Sequence, residues 1–241
     1  SSAIQSTPHI ADQAEQLYVF QRTPNYSIPA HNASMDPAHA ESVKANYPGI
    51  RASAKKNFPG IHGAFNTQSA MSVSAEEREA EYERRRAQGG LTFMGAFGDL
   101  MIEQAANDTL ADFVRAKIRE TVDDPDVAEA LCPTNIIGGK RLCVDSGYYE
   151  SFNRDNVSLV DVKSAPIEAV TENAVHAHGQ AYEVDALVIA TGFDAMTGAL
   201  MRMDIVGKGG ERLRDCWEAG PRSYLGLQVA GFPNLFTITG P

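Results

Sequence analysis

The chain has 241 residues, 43% of them apolar and 22% charged, the composition of an ordinary globular protein with one or two domains. Its 21 Lys and Arg against 31 Asp and Glu leave a net charge of −10, which argues against a nucleic-acid binder and against attraction to anionic lipid. No run approaches the ~20 apolar residues of a membrane span, the opening SSAIQSTPHIADQAEQ lacks the basic start and apolar run of a signal peptide, and Cys132, Cys143 and Cys216 are too scattered for a disulfide framework or zinc site, so a reducing, cytoplasmic setting is expected.

In chain order, the first segment reads as a helix followed by a strand. Ser2 can cap the helix, Ile4, Ile10, Ala11 and Ala14 have rough helical spacing, and Pro8 should kink it or delay its start. Leu17 to Phe20 is a short apolar run of strand type, and the Pro, Asn and Ser residues from Thr23 to Pro29 are loop chemistry. From Asp36 to Pro133 the texture is helical and polar, with a loop-rich stretch between Ala45 and Ser72. Ser74 and Glu77 form a capping-box pattern, and the helix they open should stop at Gly89-Gly90. Glu81 and Arg85 have the favourable i,i+4 order, and Arg84–Arg86 read as a solvated face. A second helix is expected from Asn107-Asp108-Thr109, with Leu110, Phe113, Val114 and Ile118 on one side. Asp124-Pro125 reads as a cap plus a first-turn proline for a short helix ending at Leu131.

After Pro133 the pattern turns to strands. Arg141–Val144 and Asn156–Asp161 are strand-type runs, while Ile167–Val170 and Ala174–His178 look like a hairpin. Ala186 to Ala190 is a continuous apolar run of the kind buried in a parallel sheet, leading into Thr191-Gly192. Phe236–Thr239 is a last short strand.

Four places carry candidate chemistry. Ser1, Ser2, Ala3, Ile4 and Gln5 could close a dinucleotide-type glycine turn whose helix amides hold a pyrophosphate, or could be an ordinary helix cap. Arg22 and Thr23 stand about 20 residues on, where a ribose 2′ position is read. A cation there suits the 2′-phosphate of NADPH, whereas NAD readers are acidic; a solvated strand-end Arg is the plain alternative. Lys140 and Arg141 follow a diglycine at a strand start and suit a second anion contact, or are a surface basic pair. Thr191, Gly192, Phe193 and Asp194 end the apolar run in a turn where backbone can approach a ligand closely. His176 and His178 alternate along one strand without a third metal ligand, and no metal site is expected. Neither a G-x-S-x-G elbow nor an HExxH helix occurs.

Together, SSAIQS, AEQLYVFQRTPNYSIPA, GGKR, VDSGYYESFNRDNVSLVD, LVIATGFDAMTG and WEAGPRSYLGLQVAGFPNLFTITGP resemble the flavin-dependent Baeyer–Villiger monooxygenases. The resemblance implies an α/β fold: part of a Rossmann-type flavoprotein with two dinucleotide domains, for FAD and NADPH, and a helical insertion. It divides the chain into a first part of the NADPH domain (1–30), the helical insertion (31–134), a second part of the NADPH domain (135–165), and a hairpin crossover with part of the FAD domain (166–241). Residues 1 to 5 then end the NADPH glycine motif, and Arg22, Thr23 and Lys140 surround the 2′-phosphate. Arg141 is the active-site arginine, and residues 191 to 194 cross back into the FAD domain.

The implied activity is oxidation of a ketone by O2 to an ester or lactone through a C4a-peroxyflavin. Oxygenation of nitrogen or sulfur is an alternative, as is a non-catalytic NADPH-binding module. The family's first glycine motif and its F-x-G-x-x-x-H-x-x-x-W fingerprint have no counterpart in the sequence. The chain is therefore expected to be the central part of an enzyme that needs further N- and C-terminal parts, and to be inactive by itself.

Overall fold

The computed structural model describes residues 2–57, 60–192, 194, 196–238 and 240–241, in two compact units, Ser1–Val188 and Ile189–Pro241. The first unit begins with α1 (Ser2–Ala11), β1 (Leu17–Gln21) and β2 (Ser27–Pro29). Five helices follow, α2 (Pro37–Ala45), α3 (Tyr47–Ala54), α4 (Ala75–Gln88), α5 (Gln104–Thr121) and α6 (Pro125–Leu131). The strands β3 (Cys143–Asp145), β4 (Val157–Asp161), β5 (Ala169–Val170), β6 (Ala174–Ala177) and β7 (Gln180–Glu183) complete it. The second unit contains α7 (Gly198–Arg202), α8 (Leu213–Cys216), β8 (Gln228–Val229) and β9 (Phe232–Phe236).

Helix α1 continues past Pro8, which does not delay its start. Proline has no N–H to give the Ile4 carbonyl, but its fixed φ suits a helix, and the loss is confined to one bond. The hydroxyls of Ser6 and Thr7 donate back to the Ser2 and Ala3 carbonyls, each at 2.8 Å. At the other end the Asn156 amide donates to the carbonyls of Ala11 and Ala14, both at 2.9 Å, so the last turn is tied to the start of β4.

The sheet work is done by two parallel pairs. β1 lies beside β4 with Leu17 opposite Val157 and Gln21 opposite Asp161, and β2 lies beside β3 with Ser27 opposite Cys143. Parallel strands cannot be joined by a tight turn. The whole stretch from α2 to α6 forms the connection between β2 and β3, and it shares one core with them. Tyr82, Phe93, Phe97, Leu110, Phe113, Ile118 and Leu131 belong to the same buried cluster as Ile4, Ile28 and Val157. Tyr82 meets Phe97 edge-on at 5.7 Å and Phe113 at 5.4 Å.

Local signals place most of these helices. Ser74 accepts from the Glu77 amide while Glu77 accepts from the Ser74 amide, closing the capping box, and Gly89 ends α4 at φ 70°. Asp124 accepts from the amides of Asp126 and Val127 at the start of α6. Helix α5 starts three residues before the expected Asn107, and the expected face of Leu110, Phe113, Val114 and Ile118 is buried.

Several expectations change. Arg85 is not solvated; it is 3% exposed and donates to Glu81 and to the carbonyls of Ala64 and Thr92. A long side chain on a polar run can turn inward when carbonyls wait for it. The loop-rich stretch contains α3, which buries none of its residues. The hairpin gains a third strand, β7, through a two-residue turn at His178 (φ 56°) and Gly179 (φ 67°). His178 therefore sits in the turn, not on the face of His176, and bonds the Asp161 carbonyl at 2.5 Å. Tyr182 of β7 packs edge-on against Tyr18 and Phe20 of β1.

The largest correction concerns Ala186–Ala190, expected as a buried parallel strand. It forms no strand, and Ile189 is 77% exposed. An apolar run becomes a strand only against another strand, and among the described residues none lies beside it. The last strand is β9, displaced from the expected 236–239, of which Thr239 lies outside the described residues. β9 pairs antiparallel with β8 over a small core of Leu213, Trp217, Val229 and Phe232.

Candidate cofactor-binding site

The segment after β1 and the loop before β3 meet. Arg22 and Thr23 leave the C-terminal end of β1 with exposed side chains. Three residues past Arg22, the Asn25 amide donates to the Arg141 carbonyl at 3.0 Å and to the Cys143 sulfur at 3.3 Å. The Cys143 amide in turn donates to the Tyr26 carbonyl at 3.1 Å. Two basic spots separated by more than a hundred residues thus lie on adjoining backbone.

The loop that carries the second spot, residues 133–141, is held along its length. The Tyr26 hydroxyl bonds to the carbonyls of Asn135, at 2.9 Å, and Pro133, at 3.2 Å. Arg115 of α5 reaches the same hydroxyl at 2.7 Å and the Pro133 carbonyl at 3.1 Å, and its charge is anchored by Asp112 at 2.6 Å. Burial pushes the Tyr26 phenol above its usual range, against the pull of the Arg115 guanidinium. Asn107 grips Ile137, and Gly138 turns the chain at φ 86°. The side chains of Lys140 and Arg141 are left outside, exposed and making no ion pair among the described residues.

The first turn of α1 lies against β3, where the Gln5 amide reaches the Val144 carbonyl at 3.3 Å. Ser2 and Gln5 are exposed, Ala3 half-buried, and Ile4 buried in the core, so Ile4 can offer a ligand its backbone and not its side chain. Among the described residues no cluster of His, Cys, Asp and Glu could hold a metal, and no helix is long and apolar enough to cross a membrane.

No known protein-family profile matches the chain. Its whole length aligns at 43% identity with 2-oxo-Δ3-4,5,5-trimethylcyclopentenylacetyl-CoA monooxygenase of Pseudomonas putida, and at 42% with cyclohexanone 1,2-monooxygenase of an Acinetobacter species. In each case it spans 45% of the relative. It also superposes in full on 46% of a steroid monooxygenase solved oxidised and bound to NADP, with 52% identity and a TM-score of 0.92. Homologues along the whole chain are named Baeyer–Villiger monooxygenases, one from Pseudooceanicola batsensis at 41% identity, and the chain spans 45% of that relative's length.

The match to Baeyer–Villiger monooxygenases includes the stretch from α2 to α6, so that stretch is part of what the relatives share and not an addition peculiar to this chain. The fold is a portion of their α/β flavoprotein fold. The expected family residues fall in two places. Ser2 to Gln5, Arg22, Thr23, Lys140 and Arg141 lie in the first unit. Thr191, Gly192 and Asp194 lie in the second, all exposed, with Gly192 at φ 90° and Asp194 paired to Arg202 at 3.0 Å. Ser1 and Phe193 are outside the described residues.

Sequence reasoning found the exposed cations and missed what holds them. Asn25 and Tyr26 lie in the family-like stretch AEQLYVFQRTPNYSIPA and Asn107 reads as a helix start, but neither these nor Arg115 signal a hold on the loop. One signal was present: Asn107 precedes Leu110, Ala111 and Val114 on the same helical face, and a polar side chain on an apolar face must find buried partners.

Proposed function

We propose that this chain supplies the NADPH-binding region and the active-site arginine of a Baeyer–Villiger monooxygenase, which uses FAD, NADPH and O2 to turn a ketone into an ester or lactone. The observation that carries the reading is the bond from Asn25 to the Arg141 carbonyl, which sets the Arg22–Thr23 segment beside the Lys140–Arg141 loop. The proposed parts are residues 1–30 and 135–165 for the NADPH domain, 31–134 for its helical insertion, and 166–241 for the crossover and part of the FAD domain.

The residues present fit the pyridine nucleotide. Arg22 offers a planar fork of donors for a 2′-phosphate, Thr23 a hydroxyl and Lys140 an ammonium, and among the described residues no carboxylate pairs with either cation. The first-turn amides of α1 add a partial positive charge for the pyrophosphate. Toward the flavin the chain offers Thr191 to Asp194, where nothing stands within 4 Å of the Cβ that Gly192 lacks, so a ligand can approach that backbone.

FAD, when bound, accepts the hydride and activates O2. Arg141 provides a guanidinium fork that can stabilise negative charge developing on the ketone oxygen. A lysine in its place lacks the fork and can lose its proton on desolvation. The held loop supports this role by fixing the backbone that carries the guanidinium, through the bond from Asn25 to the Arg141 carbonyl.

The test uses the full-length enzyme. Arg22→Ala and Lys140→Ala should each raise the KM for NADPH by about tenfold or more, the loss of a charge-assisted hydrogen bond worth ~1.5–3 kcal/mol. The KM for NADH should stay in place. An unchanged NADPH to NADH preference in both variants refutes the 2′-phosphate reading. Products from a ketone set against a thioether and an amine identify the atom oxygenated.

A further inference from the structure

We propose that Asn107 is a positioning residue for the loop bearing Lys140 and Arg141, and that through it the helical stretch controls cofactor preference and coupling. The inference rests on the reading of Lys140 and Arg141 given above. Asn107 sits in the first turn of α5, 3% exposed, between Ala106 and the apolar face of Leu110 and Ala111. Both polar atoms of its amide are bonded. The Oδ1 accepts from the Ile137 amide at 3.2 Å, and the Nδ2 donates to the Ile137 carbonyl at 2.9 Å and to the Leu100 carbonyl at 2.8 Å. One side chain therefore takes both backbone groups of one loop residue, as a neighbouring strand would.

The grip falls where it has most leverage. The Ile137 side chain is fully buried, so the loop is fixed there in direction as well as position. The next residue, Gly138, stands at φ 86° with its backbone against the thioethers of Met101 and Met94. A Cβ at Gly138 would come within 2.7 Å of the Met101 sulfur. The Gly139 amide then closes a turn onto the Ile136 carbonyl at 3.1 Å, and Lys140 and Arg141 follow directly. No other side chain combines an acceptor and two donors at this span. Leucine would fill the space and leave both Ile137 groups buried and unpaired, and aspartate would keep the acceptor alone.

Asn107→Ala, Asn107→Asp, Leu110→Ala and Lys140→Ala in the full-length enzyme decide the matter. Each is measured for thermal unfolding, for KM with NADPH and with NADH, and for ester formed per NADPH consumed. Leu110→Ala, a buried deletion on the same helix, reports what lost stability does by itself. Both Asn107 variants should narrow the NADPH to NADH preference about tenfold and lower the ester yield per NADPH, whereas Leu110→Ala should lower only the unfolding temperature. Should Asn107→Ala not fold, Asn107→Asp carries the test. Asn107 variants that match Leu110→Ala in preference and yield, while Lys140→Ala narrows the preference, overturn the inference and leave the site reading standing. A Lys140→Ala enzyme with unchanged preference overturns the site reading and the inference together.

Discussion

Residues 133–141 and residues 184–192 are both strandless segments leading to residues assigned to cofactor, yet they are ordered in opposite ways. The first is polar and glycine-rich, and Tyr26, Arg115, Asn107 and Asn25 bond its backbone at Pro133, Asn135, Ile137 and Arg141. The second is apolar, and from Ala186 to Ala190 its described backbone has no hydrogen-bond partner. The apolar run at Leu17–Phe20 makes the contrast sharper. It is no more hydrophobic than Ala186–Ala190, but it lies in register with Val157–Val160 and is a strand. Order follows the partners a segment meets, not its own apolar content.

The contrast can be broken at four points. Arg141→Ala in the full-length enzyme should abolish ester formation, and Arg141→Lys should not restore it; ketone turnover at the normal rate would show that the held loop does not serve catalysis. Tyr26→Phe strips one anchor from the loop, leaving the Pro133 and Asn135 carbonyls and the Arg115 guanidinium short of a partner. It should cost about 1–3 kcal/mol of stability in denaturant unfolding and narrow the NADPH preference, because a buried group without its bond bears the desolvation cost.

On the open segment the effects should be smaller and of a different kind. Gly192→Ala forces a Cβ onto a residue at φ 90°, a cost of about 1–2 kcal/mol, and should weaken FAD retention while NADPH preference is unchanged. Loss of NADPH preference in that variant would mean the two segments act as one. Ile189→Lys should be the mildest, within about 0.5 kcal/mol for the chain by itself, because the side chain it replaces is already exposed. A large drop in the unfolding midpoint would show that the run is packed after all.

Much of the fold is legible residue by residue. The capping box of Ser74 and Glu77, the cap at Asp124 and the apolar face of α5 each depend on residues within one or two turns, so a short window contains the whole interaction. The parallel strands at Leu17 and Val157 were readable as runs, though not as a pair. Arg85 was misread because its acceptors, the carbonyls of Ala64 and Thr92, carry no side-chain signal of their own; any carbonyl looks alike in a sequence. The third hairpin strand was missed although His178-Gly179 has the chemistry of a tight turn, two adjacent residues with positive φ.

The candidate site divides along the same line. Arg22, Lys140 and Arg141 stand out because cations beside dinucleotide-type elements are conspicuous in a chain of net charge −10, and Thr23 is noticed as the neighbour of Arg22. Their holders do not stand out, since the bond from Asn25 to Arg141 spans 116 residues and that from Asn107 to Ile137 spans 30.

By itself, then, the sequence determined the ends of α4 and α6, the buried face of α5, the strand runs at Leu17 and Val157, the basic residues and the kinship with Baeyer–Villiger monooxygenases. All of these rest on local dihedral preference, neighbouring hydrogen bonds or the identity of single residues. Tertiary structure decided which apolar run became a strand, that Arg85 turns inward, that Pro8 is tolerated, and that Asn107 grips Ile137. Each of those depends on which donors, acceptors and surfaces the rest of the chain brings within about 3 Å, and hydrogen bonding is too short-ranged for that to be written in any one stretch.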